Sequence, residues 1–456
     1  MLLVNNSFFI MKKIFGLVLL VLVFIGAFLF YKEQYQYWFI YYYITVFMTI
    51  VYLYNNMKFL YFFSFLFIIF QLVGITFSVV PFLFFGLELN GLDKSLFLHS
   101  LALMFSLGIS VLFFNIKKYN KYSQIDNLFD TSKWDMFIKV NKRIFYLTIP
   151  FVFLAMYMSG GWKSFFGIEG YDRVSSMKGM GFLMIFSVLN VASSILLIIN
   201  NIYKRNYLQI TFPLFSIIIL NGFTQGRNNL IWLIFSIFFM LGILNKLNKK
   251  VLLYFFMLGL VVVFYKIIRY NPNENEFSFL LTFFLHFTGD FDVVIRTAKL
   301  INYIEENDFF GFYHIWSQVL TYVPRPIFPE KSHFIGNIYL NIFVFPGVYT
   351  GGENSTGYTF GVISVLYAIY GLVLSLVLFF MTMYILIKFD LYIYYIIKIK
   401  KTINILFILY FFLLGSVIIF YREWSTGITN TFFYSFIYLI FYNICKIKIR
   451  NCKCVE

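Results

Sequence analysis

The sequence predicts an all-α polytopic integral membrane protein of about twelve transmembrane helices, eleven to thirteen as a range, with both termini cytoplasmic and one large loop on the outer side. Three observations predict it: composition, the lengths of the apolar runs, and the sidedness of charge. The 456-residue chain is 61% hydrophobic and 12% charged, with a mean hydropathy of +0.81. A soluble chain carries about 25% charged residues. With half that share, this one has too little polar surface to cover its apolar surface in water.

Runs long enough to cross a hydrocarbon core, roughly 17 to 25 residues, occur at 14–31, 35–54, 59–85, 95–115, 144–159, 182–201, 208–224, 230–244, 251–268, 360–387, 403–421 and 431–445. The first follows Lys12 and Lys13 and lacks a small-residue cleavage site, which predicts a retained helix rather than a signal peptide. The interiors of the runs are nearly free of ionisable groups.

Charge supports this division. With the N-terminus inside, the inward segments are 1–13, 55–58, 116–143, 202–207, 245–250, 388–402 and 446–456. They hold 23 of the 36 Lys+Arg residues, leaving 13, of which Lys266 falls within the run 251–268 and 12 lie outside. Acidic residues divide the opposite way, with Asp126, Asp130, Asp135, Asp390 and Glu456 inside and 15 of the 20 outside. An error in one span would invert every later loop and destroy the agreement. The two basic residue types also separate: inside, only Arg143, Arg205 and Arg450 are arginine, whereas Arg173, Arg227, Arg269, Arg296, Arg325 and Arg422 lie outside. Lysine thus anchors the cytoplasmic face. Arginine, whose planar fork captures phosphate or carboxylate bidentately, is concentrated on the other.

Several classes are excluded. The sequence pI near 9.4 suggests nucleic acid, but no basic block exceeds a few residues, so the excess reads as membrane anchoring. Cys445, Cys452 and Cys454 fall at or beyond the last span without a fourth ligand or a nearby His, so they read as free thiols rather than a zinc site. No repeat or separate soluble domain is evident. The chain therefore reads as three segments: 1–268 with nine spans and short loops, 269–359 as the large outer loop with interfacial helices, and 360–456 with three spans and a short basic tail.

The loop carries the chemistry. About 90 residues without structure would be improbable, and 277–306 has helical apolar spacing, predicting one or two helices at or partly within the interface. Tyr313, Trp316 and Tyr322 suit headgroup depth. Three prolines in Val323-Pro-Arg-Pro-Ile-Phe-Pro-Glu-Lys331 forbid regular helix and hold a stiff extended path that fixes Arg325 and Lys331. Gly351-Gly-Glu-Asn-Ser-Thr-Gly357 is a flexible polar turn feeding the next span.

The run Tyr322-Val-Pro-Arg-Pro-Ile-Phe-Pro-Glu-Lys331 resembles the Pro-Arg-x-x-Phe/Trp-Pro-x-Lys signature of the Wzy-type O-antigen polymerases, bacterial enzymes that join oligosaccharide repeat units. The glycine turn continuing through Tyr358-Thr-Phe-Gly361 to Gly371 is similar to that family's next landmark. Thr224-Gln-Gly-Arg-Asn228 is similar to its outer Gly-x-Arg turn. The likeness is confined to these three patches, and Ser332 follows Lys331 where the family often has Pro. It implies a multi-pass protein of the bacterial inner membrane and a periplasmic location for the loop. The implied activity is a metal-independent glycosyltransferase that needs no cofactor. It would move a growing glycan from undecaprenyl pyrophosphate to the non-reducing-end hydroxyl of a new lipid-linked repeat unit. A polysaccharide chain-length regulator is a candidate partner beside the lipid-linked glycans and membrane lipids.

Arg325, Arg227, Arg173, Lys331 and Arg422 are the candidates to hold the pyrophosphate, because cations whose contacts strengthen as charge develops lower the barrier. Each has a plainer role: Arg325 could pair with Glu330, Arg227 could snorkel, and Asp172 and Glu423 could neutralise Arg173 and Arg422. The acceptor hydroxyl loses a proton during transfer. His333 and Glu353 are the base candidates, with Glu330, Asp172 and His286 behind them. The Asp290 and Asp292 pair sits in an apolar context that fits a helix better than a metal–nucleotide site. Three rival functions stand beside it: an O-antigen ligase acting on lipid A core, which shares the topology; a lipid-linked oligosaccharide flippase, which predicts charged spans and inverted repeats that the sequence lacks; and a structural subunit of a secretion assembly, which does not need so many outward arginines.

Overall fold

Within a bilayer, backbone N–H and C=O groups find partners only in each other, so long apolar runs become helices. The computed structural model describes residues 2–85, 90–114, 129, 131–158, 181–224, 228–245, 250, 253, 293–310, 327, 340, 343–345, 360–422 and 424–453. All regular structure among them is helical: α1 (Leu2–Tyr31), α2 (Trp38–Asn55), α3 (Phe63–Phe85), α4 (Leu92–Phe113), α5 (Ser132–Met158), α6 (Gly181–Tyr203), α7 (Thr211–Thr224), α8 (Asn228–Ile243), α9 (Val293–Asn307), α10 (Val362–Tyr395), α11 (Ile405–Gly415), α12 (Val417–Arg422) and α13 (Trp424–Lys453). Among the described residues, six segments are long and apolar enough to cross a membrane: Lys13–Tyr31, Tyr35–Asn55, Leu92–Phe113, Leu183–Tyr203, Val362–Lys400 and Gly427–Ile447. Shorter apolar helices accompany them. These are the features of a helical membrane protein. The expected span 251–268 lies outside the described residues.

Two compact units share the chain. The first comprises Met1–Lys118, Val263–Leu391 and Val417–Gly427; the second comprises Tyr119–Val262, Tyr392–Ser416 and Ile428–Glu456.

In the first unit α4 is the central post. Its residues from Ser95 to Val111 are all buried, as expected of a helix apolar on every side. Helices α1, α2, α3 and α9 pack around it. Helix α1 turns Gly16 and Gly26 toward Leu112 and Leu101 of α4, which lets the two backbones approach closely. Its opposite face exposes Ile14, Leu17, Val21, Phe24 and Phe28, a stripe suited to lipid. Asp390 closes the far end of the unit. This fully buried carboxylate accepts from the backbone N of Phe63 at 3.1 Å and of Ser64 at 2.9 Å, and from the Ser64 hydroxyl. Three donors and a helix N-terminus compensate its burial.

The second unit is pinned by amides and indoles. Asn190 of α6 donates to Phe145 O (3.4 Å) and Thr148 Oγ1 (3.0 Å) and accepts from Ser216 Oγ (2.6 Å) and Ser194 Oγ (3.4 Å). Tyr438 donates to Asn141 at 2.6 Å, Trp134 to Asn200 at 3.1 Å, and Trp232 to the Phe411 carbonyl at 3.0 Å. Such bonds select helix register where lipid offers no hydrophobic drive for helices to associate.

The helices depart from the apolar runs in three places. Helix α5 starts at Ser132, well before the expected 144, because Trp134, Phe137, Val140 and Asn141 bury one side while Lys133, Lys139, Lys142 and Arg143 occupy the other. The run 360–387 is not one straight helix: Gly371 adopts φ 71° and ψ −179°, outside helical space. The run 403–421 divides at Ser416 into α11 and α12. The Gly371 break leaves the Ala368 carbonyl available to Phe310 N, 2.9 Å away. That part of dihedral space is essentially restricted to glycine. Gly371→Ala is therefore expected to cost about 1–3 kcal/mol, read as a lower thermal-unfolding midpoint in detergent; an unchanged midpoint would contradict the strain argument.

Candidate functional site

Helix α9 is amphipathic by residue pattern. Val293, Val294, Thr297, Ala298, Leu300, Ile301 and Ile304 are buried, while Arg296, Lys299, Asn302, Glu305 and Glu306 fall between them. One or two helices at or partly within the interface were expected over 277–306; of that stretch the described part, from Val293, lays its apolar stripe on α4 and α3. Polar contacts fix its register. Ser95 Oγ donates to Val294 O at 2.5 Å, Asn302 Nδ2 to Asn90 O at 2.9 Å, and Lys94 Nζ reaches Glu305 at 2.6 and 2.8 Å.

One turn further along α4, His99 meets two hydroxyls. Its Nε2 lies 3.1 Å from Thr297 Oγ1 of α9 and 3.1 Å from Ser364 Oγ of α10, and the two oxygens are 2.5 Å apart. Thr297 Oγ1 also lies 2.7 Å from Val293 O and 3.2 Å from Phe360 O. Thr297 and Ser364 are fully buried and His99 nearly so. Beside this junction is a narrow hollow lined by Phe67 and Gln71 of α3, His99 and Ala102 of α4, Gly361, Val362, Ile363 and Phe379, and Tyr421 of α12.

The backbone at Gly361 completes the junction. Gly361 adopts φ 83°, and a Cβ there would collide with Val293. Its N–H donates to the Arg422 carbonyl at 2.7 Å. Arg422 is thereby brought to the same end of the unit as His99, Thr297 and Ser364. It is half-buried and ends α12, where a cation also complements the helix dipole.

The ends of the long loop converge here too. Phe310 stacks on Tyr303 (centroids 5.3 Å) and meets Phe343 edge-on (5.9 Å), while Phe345 stacks on Phe360 (5.9 Å). Leu340 and Phe345 are buried with Leu300, Ile304, Phe360, Val365, Ala368 and Ile369. The loop thus returns to α9 and α10 in mid-course. Arg325, Lys331 and His333 belong to the excursion between 310 and 343, and Glu353 to the one between 345 and 360. Those four residues, with Arg173 and Arg227, lie outside the described residues. Ile327, within the proline-rich run, is 73% exposed.

Of the residues expected from sequence, only Arg422 is therefore placed. His99, Thr297, Ser364 and Gln71 were not among them. His99 carried a legible signal, since a lone imidazole inside an apolar run usually faces a partner. The hydroxyls and the amide carried none, because Ser, Thr and Gln occur in spans for many packing reasons.

No family model, curated protein or solved structure matches the chain.

Thr297→Val keeps the shape but strands two partners, so a loss of about 1–3 kcal/mol is expected. Lys94→Ala removes a partly exposed ion pair and should cost about 0–1 kcal/mol. Thermal unfolding of the two variants side by side checks the ranking; equal midpoints would refute the junction's role.

Proposed function

We propose that the chain is a glycosyltransferase of the bacterial inner membrane that polymerises undecaprenyl-pyrophosphate-linked repeat units at the periplasmic face. About twelve spans, with both termini cytoplasmic, complete the reading. The observation that carries it is that the chain after the loop is pinned to Arg422, by Gly361 N to Arg422 O, while the chain before it is pinned to α10, by Phe310 N to Ala368 O. The chain on either side of the loop bearing Arg325 and Lys331 thus meets α10 or the residue just before it, and the later side also meets a further arginine assigned to the outer face.

Contacts within each unit support the sidedness. Segments assigned outside meet one another: Ser95 meets Val294, and Gly361 meets Arg422. Segments assigned inside do the same: Asp390 caps α3, and Lys204 pairs with Asp135 at 2.7 Å. No contact among these joins an inward segment to an outward one.

In the proposed reaction the acceptor hydroxyl oxygen forms a bond to the anomeric carbon as the bond from that carbon to pyrophosphate breaks. The electron pair leaves with the lipid pyrophosphate, and the guanidinium groups of Arg325 and Arg422, with Lys331, stabilise the departing charge. The acceptor proton passes to a base, with His333 and Glu353 as candidates.

A ligase would use the same donor, and the three sequence patches favour polymerisation over it. The helix breaks at Gly371 and Ser416 favour a flippase, since transporters bind substrate where helices are discontinuous. Deleting the gene separates these: surface lipopolysaccharide bearing a single repeat unit supports the polymerase, and none at all points to ligase or flippase. Arg325→Ala is expected to lower polymer formation by about 100-fold or more at unchanged protein level, with Lys there a poor substitute. An intact ladder on the gel would remove Arg325 from the site.

A further inference from the structure

The hydrogen bonds around His99 can be assigned by counting protons. Thr297 and Ser364 bring two hydroxyl protons, and the Val293 and Phe360 carbonyls can only accept. Thr297 therefore donates to a carbonyl, and Ser364 donates across the 2.5 Å gap to Thr297. Neither hydroxyl has a proton left for the imidazole, so His99 Nε2 carries the hydrogen and donates to them across 3.1 Å. Any other assignment leaves one of these short contacts without a proton. With no carboxylate among its contacts, the ring is read as neutral, and Nδ1 is then a bare acceptor.

Across the hollow, Gln71 presents the complementary group. Its Oε1 lies 3.2 Å from Ser106 Oγ, whose single proton is shared with Ala102 O at 2.9 Å, while its Nε2, in a side chain more than nine-tenths buried, has no partner among the described residues. Gln71 and His99 both line the hollow, and so does Ala102, one turn beyond His99 on α4. A buried amide donor without a partner costs about 1–3 kcal/mol, and with an open acceptor on the wall of the same small hollow the two call for one group that does both. The remaining walls are mainly apolar, and the space admits about one water-sized group. An anion, a cation or a whole sugar ring does not fit those conditions.

We infer that the hollow is a subsite for a single neutral hydroxyl group, which accepts from Gln71 Nε2 and donates to His99 Nδ1. The hydroxyl belongs either to a water molecule or to a glycan that extends into the hollow. The glycan source rests on the proposed function; the subsite does not.

The chain has only four histidines, so 15N-histidine labelling of the full-length protein in lipid nanodiscs resolves them, with His99→Gln identifying the signal. Expected are a protonated Nε2 and an Nδ1 resonance displaced from the bare-acceptor position by hydrogen bonding. Ala102→Val fills the hollow without altering either polar side chain, and should return Nδ1 to the bare position while Nε2–H persists. Gln71→Leu serves as a second variant and should move Nδ1 the same way. Magnetisation transfer from water to the ring identifies water as the source. A shift on adding lipid-linked repeat units extracted from the gene-deletion strain identifies the glycan. An Nδ1 that is bare in the parent protein, or that carries the proton, overturns the subsite. A deletion strain with normal polymer overturns the proposed function alone.

Discussion

Thr297 Oγ1 is the atom at which three elements distant in sequence are joined: His99 on α4, Val293 within α9, and Phe360 with Ser364 at the start of α10. Its energetic weight lies in an asymmetry. Between helices in lipid a hydrogen bond is worth about 0.6 kcal/mol on average, so these contacts add little to total stability. Leaving a buried partner unmatched costs about 1–3 kcal/mol. Sliding α9 by one residue along α4 would orphan Thr297 and His99, and would also part Ser95 from Val294 O and Asn302 from Asn90 O. The junction thus acts mainly by penalising other registers, which is how polar groups specify packing among helices that are otherwise uniformly apolar.

That fixed register determines where the long loop begins and ends. Closing a flexible loop costs entropy that grows only by about 0.6 kcal/mol per doubling of length, so length alone would leave its residues widely distributed. The aromatic anchors change this. Phe310 with Phe343 and Phe345 with Phe360 return the chain to one small core, so each excursion starts and ends at a defined place. The Gly371 break contributes by freeing Ala368 O for Phe310 N. Residues 362–370, which the apolar pattern alone assigns to a span, are in part wall of that core.

How far this was legible in the sequence depends on the kind of signal. The run 182–201 foretold α6 (Gly181–Tyr203) within two residues at either end, because the penalty for unpaired backbone in lipid applies to every residue of a span. The early start of α5 was missed because its first turns carry Lys133, Lys139 and Lys142, and charge was read as loop. The breaks at Gly371 and Ser416 are invisible in hydropathy, which records side chains and not dihedral angles. At the site, the arginines stood out as charges, and Arg422 lies at the junction. The hydroxyl and amide partners become recognisable only when residues 99, 297 and 364 are brought together by folding.

The two units also show how a polar cluster that only holds a fold differs from one open to a ligand. An amide has two donors and two acceptor sites. Asn190 uses all four, toward Phe145, Thr148, Ser194 and Ser216. Nothing further could bind it without displacing a helix. Gln71 is also buried but meets only Ser106, through its oxygen; its nitrogen has no partner among the described residues, and its side chain lines the hollow. The serine hydroxyls that lack a partner elsewhere can rotate toward a carbonyl of their own helix one turn back, so their open valence costs little and recruits nothing. A primary amide in a tightly packed wall has no such freedom. Its unmet donor persists until another molecule supplies the acceptor, and that distinguishes a binding position from a slack hydrogen bond.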